Sequence, residues 1–536
     1  MIGDTAVIKN FRPETLRQFY HDWYRTDLQA IAVVGDIDVD DVEGKIRKIF
    51  SSIPAVENPI PRPLNFLVPK SGTRYLLITD PEASETSVGM IIIDPRPDTL
   101  ARDMDYIRDG YVVALMNSMM RSRFNEIVQK GTPPFITGSL SYDSFLARNY
   151  NALSLDAAVR DDEESKAFEA ALTELERVKR HGFTKGELDR AKSNMLASFE
   201  NRYKQKDKIR NDSWAVQIRN HYLTGEPIPS MDLQYEYYKE ILPLITLEEV
   251  TGKLQGLITD DNSFIIVQGP DDRDHLSETE ALAILSKVRA ADIKPYEDIT
   301  GGSDLIGEAL PGAKVVKSVA LPQFSATEWT LSNGAKVVFR HADYEKDNVT
   351  ISGFAYGGSS LYPDSLVPSL TLFPQIISMY GAGQFDNVAL TKMLAGKKAS
   401  VSLGLQETMQ TISGSSTPKD FETMMQLLYL RFAKPNFNKE AYDAIMGRFT
   451  AFVTAMQKTP NKIMSDSVSM NMTDYHPRTF IMTPETMKMV RYEDVNHIYA
   501  TAFDDASDFT FIITGNVEES EAQKMAEKYI GSLPSK

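Results

Sequence analysis

The chain has 536 residues, of which 42% are apolar and 25% charged, with a formal net charge of −16 and no cysteine. At about 150 residues per domain this length predicts three or so globular domains, not one. The acidic balance argues against a nucleic-acid partner, which needs concentrated Lys and Arg, and the missing cysteines exclude disulfides, thiolate metal sites and cysteine nucleophiles.

In chain order, Leu16, Phe19, Tyr20 and Trp23 recur at helical spacing. Ile31 to Val34 is a short β-branched run that predicts a buried strand, ended by Gly35. Asp38 is placed to cap a following helix through Asp41, and Val42, Ile46, Ile49 and Phe50 form its apolar face. A Pro-rich bridge, ENPIPRPLNF at 57–66, separates this piece from two predicted strands, RYLLITD and SVGMIIIDP. A helix over 105–128 follows, with Val112, Leu115, Met119 and Ile127 inward, and Met116, Met119 and Met120 read as core filler. The acidic run Arg160 to Glu164 leads a helix, where negative charge suits the dipole.

Residues 163–203 predict a helical hairpin lined by Phe168, Ala171, Leu172, Leu175 and Val178, then by Leu188, Ala191, Met195, Phe199 and Tyr203. Gly182 stops its first helix, and Thr184 with Glu187 forms a capping box for the second. A helix from Thr246 precedes the strand Phe264–Val267, and a Gly-rich bridge lies at 299–312. Asn333-Gly334 between apolar runs predicts a β-hairpin. Val349, Ile351, Phe354 and Tyr356 continue in extended style to Gly357-Gly358. A second helical hairpin is expected over 417–456, lined by Phe421, Met424, Leu428 and Phe432, then by Tyr442, Ile445, Phe449 and Phe452.

Parts of this chain repeat. AIAVVGDIDVDDVEGKIRKIF at 30–50 is echoed by TFIITGNVEESEAQKMAEKYI at 510–530, with Gly35/Gly515, Lys48/Lys528, Ser52/Ser532 and Pro54/Pro534 all at one offset of 480. A third version appears at 246–270, and the two hairpins stand alike ahead of strand-Gly units. Ordinary α/β pieces explain any one copy; their shared order favours internal duplication.

These features together resemble the pitrilysin/insulinase family of zinc metallopeptidases. The likeness is carried by IGDTAVIKNFRPETLRQFYHDWY, VVGDID, NSMMRSRFNEI, HGFTKGELDRAK, HYLTGEPIP, LSNGAKVVF and FAYGGSSLYPD, in that order along the chain. The resemblance implies an α+β fold of tandem metallopeptidase-type domains, each an antiparallel-rich sheet with helices packed on one face. It implies the back part of a first domain over 1–60, a non-catalytic second domain over 68–300, an inter-half linker over 299–322 and a non-catalytic third domain over 323–536. The front of the first domain and a fourth domain are expected outside this chain.

The family's H-x-x-E-H motif sets two histidines on one helical face for zinc, with the glutamate as general base and a downstream glutamate as third ligand. The seven histidines here, His21, His181, His221, His275, His341, His476 and His497, include no such motif. The third domain's counterpart of the zinc helix, Ser369 to Gln375, offers no ligand. GAGQF at 381–385 lacks the Lys-Ser/Thr of a P-loop, and no G-x-S-x-G elbow occurs. No catalytic, metal-binding or substrate-binding residue is therefore assigned, and no zinc is expected on this chain, although the parent protein would carry it. The expected partners are peptide or small-protein substrates and the remaining domains of the same polypeptide, with no nucleic acid and no membrane span. The expected location is the bacterial periplasm or cell envelope. A non-catalytic binding or assembly protein of the same family is the alternative.

Overall fold

The computed structural model describes residues 3–63, 66–96, 101–300, 302 and 304–536. Leu64 and Asn65 of the first bridge, and Gly301 and Ser303 of the second, lie outside the described residues.

Three short helices open the chain: α1 (Thr5–Asn10), α2 (Pro13–Trp23) and α3 (Val39–Phe50). Asp38 caps α3 as expected, its carboxylate accepting from the Asp41 N–H at 2.9 Å. None of the three helices buries a residue, so the stripe of Leu16, Phe19 and Tyr20 stands exposed. The expected strand at Ile31–Val34 is not one: the segment between Gln29 and Asp38 pairs with nothing among the described residues, and Ile31 and Val33 face solvent. Its repeat at 510–515 does form a strand because two neighbours supply its ladder. Extended sequence becomes a strand only through such pairing.

The next unit is built on β1 (Thr73–Thr79), β2 (Thr86–Pro95), β3 (Thr137–Ser144), β4 (Tyr150–Val159) and β5 (Ser263–Gly269). They form a sheet in the order β1-β5-β2-β4-β3, parallel only between β1 and β5. Helices α4 (Met104–Val128), α5 (Glu164–His181), α6 (Lys185–Lys204), α7 (Asn211–Thr224), α8 (Met231–Ile241), α9 (Leu247–Leu257) and α10 (Glu278–Ala290) complete it. Capping boxes at Thr184/Glu187, Thr246/Glu249 and Ser277/Glu280 start α6, α9 and α10. Gly182 ends α5 at φ +67, and a Cβ there would meet Thr251 at 2.7 Å. Phe168, Leu172 and Val178 of α5 pack with Leu115, Met116, Met119 and Met120 of α4 in one core.

The last unit repeats that plan with β6 (Val315–Leu321), β7 (Ala326–Leu331), β8 (Lys336–His341), β9 (Val349–Tyr356), β11 (Ala399–Leu405), β12 (Met409–Ser416) and β14 (Thr510–Gly515), while β10 (Gly381–Ala382) and β13 (Pro435–Asn436) pair separately. Its sheet runs β11-β12-β9-β14-β8-β7-β6. The first five of these, β11-β12-β9-β14-β8, correspond in order and sense to β3-β4-β2-β5-β1, with β14–β8 the matching parallel pair. The helices are α11 (Val367–Ser378), α12 (Asn387–Met393), α13 (Phe421–Ala433), α14 (Lys439–Met456), α15 (Pro460–Met472), α16 (Pro484–Met487), α17 (Tyr492–Ala502) and α18 (Glu519–Tyr529). Phe421, Met424, Met425, Leu428 and Phe432 of α13 are buried as expected, whereas Phe452 of α14 is exposed where the helix runs past the core.

The boundary near 322 needs correcting. Val315–Leu321, expected within a linker, is the outermost strand β6, paired antiparallel to β7. The Pro and Gly that mark a bridge end at Gly312, and VVKSVAL, rich in β-branched residues, carries neither against a strand. Asn333 and Gly334 do make the β7–β8 turn, with Gly334 at φ +90.

Candidate functional site

Five of the seven histidines are engaged in structural hydrogen bonds. His275 sits with Nδ1 2.6 Å from Glu164 Oε1 and Nε2 2.6 Å from the Pro270 carbonyl. Burial alone would lower its pKa, but the Pro270 and Glu164 bonds hold it above the ordinary imidazole value. His181 Nε2 meets the Ile293 carbonyl at 2.7 Å, His221 Nδ1 meets that of Glu226 at 2.8 Å, and His341 Nδ1 meets that of Val517 at 2.9 Å. His476 Nδ1 accepts from the Arg478 N–H, while His21 and His497 lie exposed on separate helices.

Among the described residues no group of three His, Asp or Glu side chains is placed to hold a metal ion. On α11, Leu370, Leu372 and Phe373 are core, and the Ser369 hydroxyl accepts from the Arg491 N–H. The described residues therefore offer no donor set that fits a zinc site of the family's kind.

The open faces of the two sheets differ. On the larger sheet, hydroxyls face outward: Ser402 and Ser413 are 2.9 Å apart, and Ser400 and Ser415 are 3.4 Å apart. On the smaller sheet, Leu76 of β1, Phe264 and Ile266 of β5 and Ile91 and Ile93 of β2 make an apolar bed with a cavity of about 330 Å³ above it.

Residues 67–70 cross this bed as a strap, tied by Leu67 N–H to Tyr150 Oη at 2.7 Å and by Lys70 N–H to Asn262 Oδ1 at 2.8 Å. The return bond runs from Asn262 N–H to the Lys70 carbonyl at 2.8 Å. Leu146, in the turn between β3 and β4, lines the same cavity at φ +58 and is 77% exposed. A leucine in the left-handed region costs energy, and such strain collects where a side chain is held for binding.

The cavity lies at the small end of ligand sites, roughly 300–1,000 Å³, and its apolar lining suits hydrophobic side chains of a bound polypeptide. Two larger clefts are more polar. One, of about 890 Å³, runs between α5 and α10 and is bordered by the Lys287–Glu169 pair at 2.8 Å. The other, of about 840 Å³, lies between the units and includes Lys458, paired to Asp272 at 3.0 Å.

Two charge clusters, which sequence reading did not single out, hold this scaffold. Arg123 of α4 is buried, donating to Glu187 at 2.6 and 2.9 Å, to Glu174 at 3.1 Å and to the Gly182 carbonyl at 3.0 Å. Lys392 of α12 reaches from the last unit into the middle one, with Nζ 3.0 Å from Tyr296 Oη, 3.1 Å from Asp298 Oδ1 and 3.1 Å from the Ile299 carbonyl. Arg190 grips the same Asp298 carboxylate at 2.8 and 3.0 Å. Burial would raise the pKa of Asp298, yet the bonds from Arg190 and Lys392 hold it below the usual carboxylate value. Neither cluster has the open coordination or substrate access of a catalytic centre. Among the described residues, no helix is long and apolar enough to cross a membrane.

Residues 10–195 match the family profile described as the Peptidase M16 inactive domain. The chain is 24% identical over 547 aligned positions to a zinc protease PQQL-like protein of Arabidopsis thaliana, covering 99% of this chain and 50% of that one. It is 23% identical to the probable zinc protease PqqL of Escherichia coli K12, covering 99% of this chain and 57% of that one. The chain thus spans about half the length of the curated relatives it matches. The crystal structure of a mutant of the ferredoxin protease FusC, in complex with Arabidopsis ferredoxin, superposes on the whole chain with a TM-score of 0.61 at 16% identity, over 59% of its own length.

Proposed function

Since the chain belongs to the M16 (pitrilysin/insulinase) peptidase family, we propose that it is the non-catalytic, substrate-handling part of a zinc metalloendopeptidase whose zinc is held by residues outside these 536. Such a zinc would lower the pKa of a bound water to about 7 and polarise the scissile carbonyl. The part of this chain is to wall an enclosed chamber and to hold an extended substrate. The observation that carries this reading is the apolar bed of the smaller sheet, with its cavity of about 330 Å³ and strained Leu146. The ferredoxin complex of the structurally similar protease supports a protein substrate. A cysteine-free chain suits the periplasm, where accidental disulfides would otherwise form.

Two measurements test this. The purified chain is expected to contain no stoichiometric zinc by elemental analysis and to leave oxidised insulin B chain uncleaved; one zinc per chain, or chelator-sensitive cleavage, would overturn the non-catalytic role. In the full-length peptidase, Ile93→Asp is expected to raise KM about tenfold with kcat little changed, as loss of uniform substrate binding requires. An unchanged KM would remove the cavity from substrate handling.

A further inference from the structure

The loop between β5 and α10, PDDRDHL at 270–276, is closed on itself by a buried histidine. The His275 side chain is 1% exposed and lies on Gly269, where a Cβ would meet its Cε1 at 2.5 Å and Thr86 Oγ1 at 2.9 Å. Both ring nitrogens face oxygen, Nε2 the Pro270 carbonyl and Nδ1 Glu164 Oε1, each at 2.6 Å. Oε2 of the same carboxylate accepts from the Leu276 N–H at 2.6 Å. The Tyr75 hydroxyl of β1 donates to the Leu276 carbonyl at 2.5 Å.

Proton counting fixes the state of this pair. A carbonyl only accepts, so Nε2 must carry a hydrogen. A neutral ring then turns a bare Nδ1 lone pair toward an ionised carboxylate, and 2.6 Å with no hydrogen between them is repulsive. The arrangement therefore needs one proton more than a neutral imidazole and an ionised carboxylate hold, and that proton belongs to the pair. The charged groups around the ring are Glu164 at the start of α5 and Arg273 of the loop itself, which pairs with Asp161 and Asp272. Glu278 and Glu280 of α10 act, with Glu164, on the Tyr75 phenol, and Asp271 and Asp274 are exposed. Burial and the Arg273 charge disfavour a positive ring, but the Pro270 and Glu164 bonds and the Glu164 charge outweigh them.

The loop reaches two neighbours. Arg273 pairs with Asp161 in the turn before α5, and Asp272 pairs at 3.0 Å with Lys458, just past α14 in the last unit. Pro270, Arg273 and Lys458 line the cleft of about 840 Å³ between the units. The Asp272–Lys458 pair is solvated and weak by itself. The firm anchors of the loop are the buried pair and Leu276, whose N–H the same carboxylate holds.

We propose that His275 and Glu164 form a proton-operated latch: with the shared proton, loop 270–276 is closed and Asp272 stays in reach of Lys458, and loss of the proton frees the loop and that wall of the cleft. The pKa of His275 is raised on folding, so the latch is complete below the unfolded value, about 6.5, and is lost as pH rises through the folded one.

The test is hydrogen–deuterium exchange on the whole chain at pH 6 and pH 9, each rate divided by that of the unstructured peptide at the same pH to remove base catalysis. Protection over 271–276 is expected to fall about tenfold between the two, the worth of one or two hydrogen bonds. Residues 409–416 of β12 are the control and should not change. Glu164→Gln separates the proton from the packing. Its amide can donate to a bare Nδ1 and accept from the Leu276 N–H, so a neutral ring satisfies all three bonds. In that variant the loop should stay protected at pH 9, with the pH dependence flattened or reversed. A flat parent profile overturns the latch, as does a Glu164→Gln variant that keeps the parent's pH dependence. Equal loosening over 409–416 means a global change and overturns it too. The parent profile decides the matter even if the variant folds poorly.

Discussion

Replacing Arg123 by Met is expected to destabilise the middle unit by about 3–5 kcal/mol, the usual consequence of removing one partner from a buried ion cluster. The guanidinium is 2% exposed and ties three elements at once: α4, which carries it, α5 through Glu174 and the Gly182 carbonyl, and α6 through Glu187. Its plane also lies 4.4 Å from the Tyr296 ring centroid, so Met would forfeit a desolvated cation–π contact. The loss is tempered because Glu174 keeps Arg177 at 3.0 Å and Glu187 keeps the Thr184 N–H at 2.7 Å.

The duplicate hairpin shows that the fold itself does not need the cluster. There the residue at the position of Glu187, three past the cap Asn438, is Ala441, and the turn is held instead by the β10–β13 pairing and by Asn436 Nδ2 donating to the Gly383 and Phe385 carbonyls at 3.1 Å. Combining Arg123→Met with Glu187→Ala should therefore recover part of the loss, because the buried charge left behind is removed with its partner. Urea unfolding of the chain measures both. A single-variant loss under about 1 kcal/mol would mean that the cluster is solvated in solution and does not lock the hairpin.

Features whose causes are local in sequence were legible before the structure. Thr184 with Glu187, Asp38 with Asp41 and Asn333-Gly334 each fix geometry within a few residues, and each does so here. Helical faces such as Phe168 to Val178 followed from period alone. What failed was relational. Ile31–Val34 has strand composition but no ladder, and Val315–Leu321 gained one from β7 although it follows a Gly-rich bridge. The candidate site was hidden for the same reason. Leu67, Ile93, Leu146 and Phe264 meet only through sheet order β1-β5-β2-β4-β3, which no periodicity encodes. Glu187 was visible as a capping residue, but its bond to Arg123, 64 positions away, was not. Lys392 and Asp298, 94 positions apart, gave no signal at all.

Lys392→Met is expected to loosen the middle and last units from each other by about 3 kcal/mol, within the range for breaking a buried pair. The side chain that crosses the boundary is only 6% exposed, and Asp298 and Glu126 facing it are 14% and 11% exposed, so solvent screening reduces the effect little. The pH dependence gives an independent readout. Burial would raise the Glu126 pKa, but bonds from Lys130 and Tyr296, together with Lys392, hold it below its ordinary value, as Arg190 and Lys392 do for Asp298. A carboxylate whose folded pKa is depressed adds stability that is complete above its unfolded value, about 4, and is lost as pH falls through the folded one. Docking of the two units should thus be level from neutral pH down to about 5 and weaken in acid. In Lys392→Met both carboxylates lose a cation, their folded pKa values rise toward the unfolded ones, and the acid-dependent part of the docking energy shrinks. Limited proteolysis across 299–312, followed from pH 7 to pH 3, reads the separation directly. If the variant is cut at the same rate and with the same acid profile as the parent, the units are held by their other contacts, such as Lys458–Asp272, Lys204–Asp347 and Asn387–Gln129, and the lysine merely fills space. If it is cut faster at neutral pH and its profile flattens, Lys392 is the residue that sets one unit against the other, and with it the position of β1 relative to the last unit.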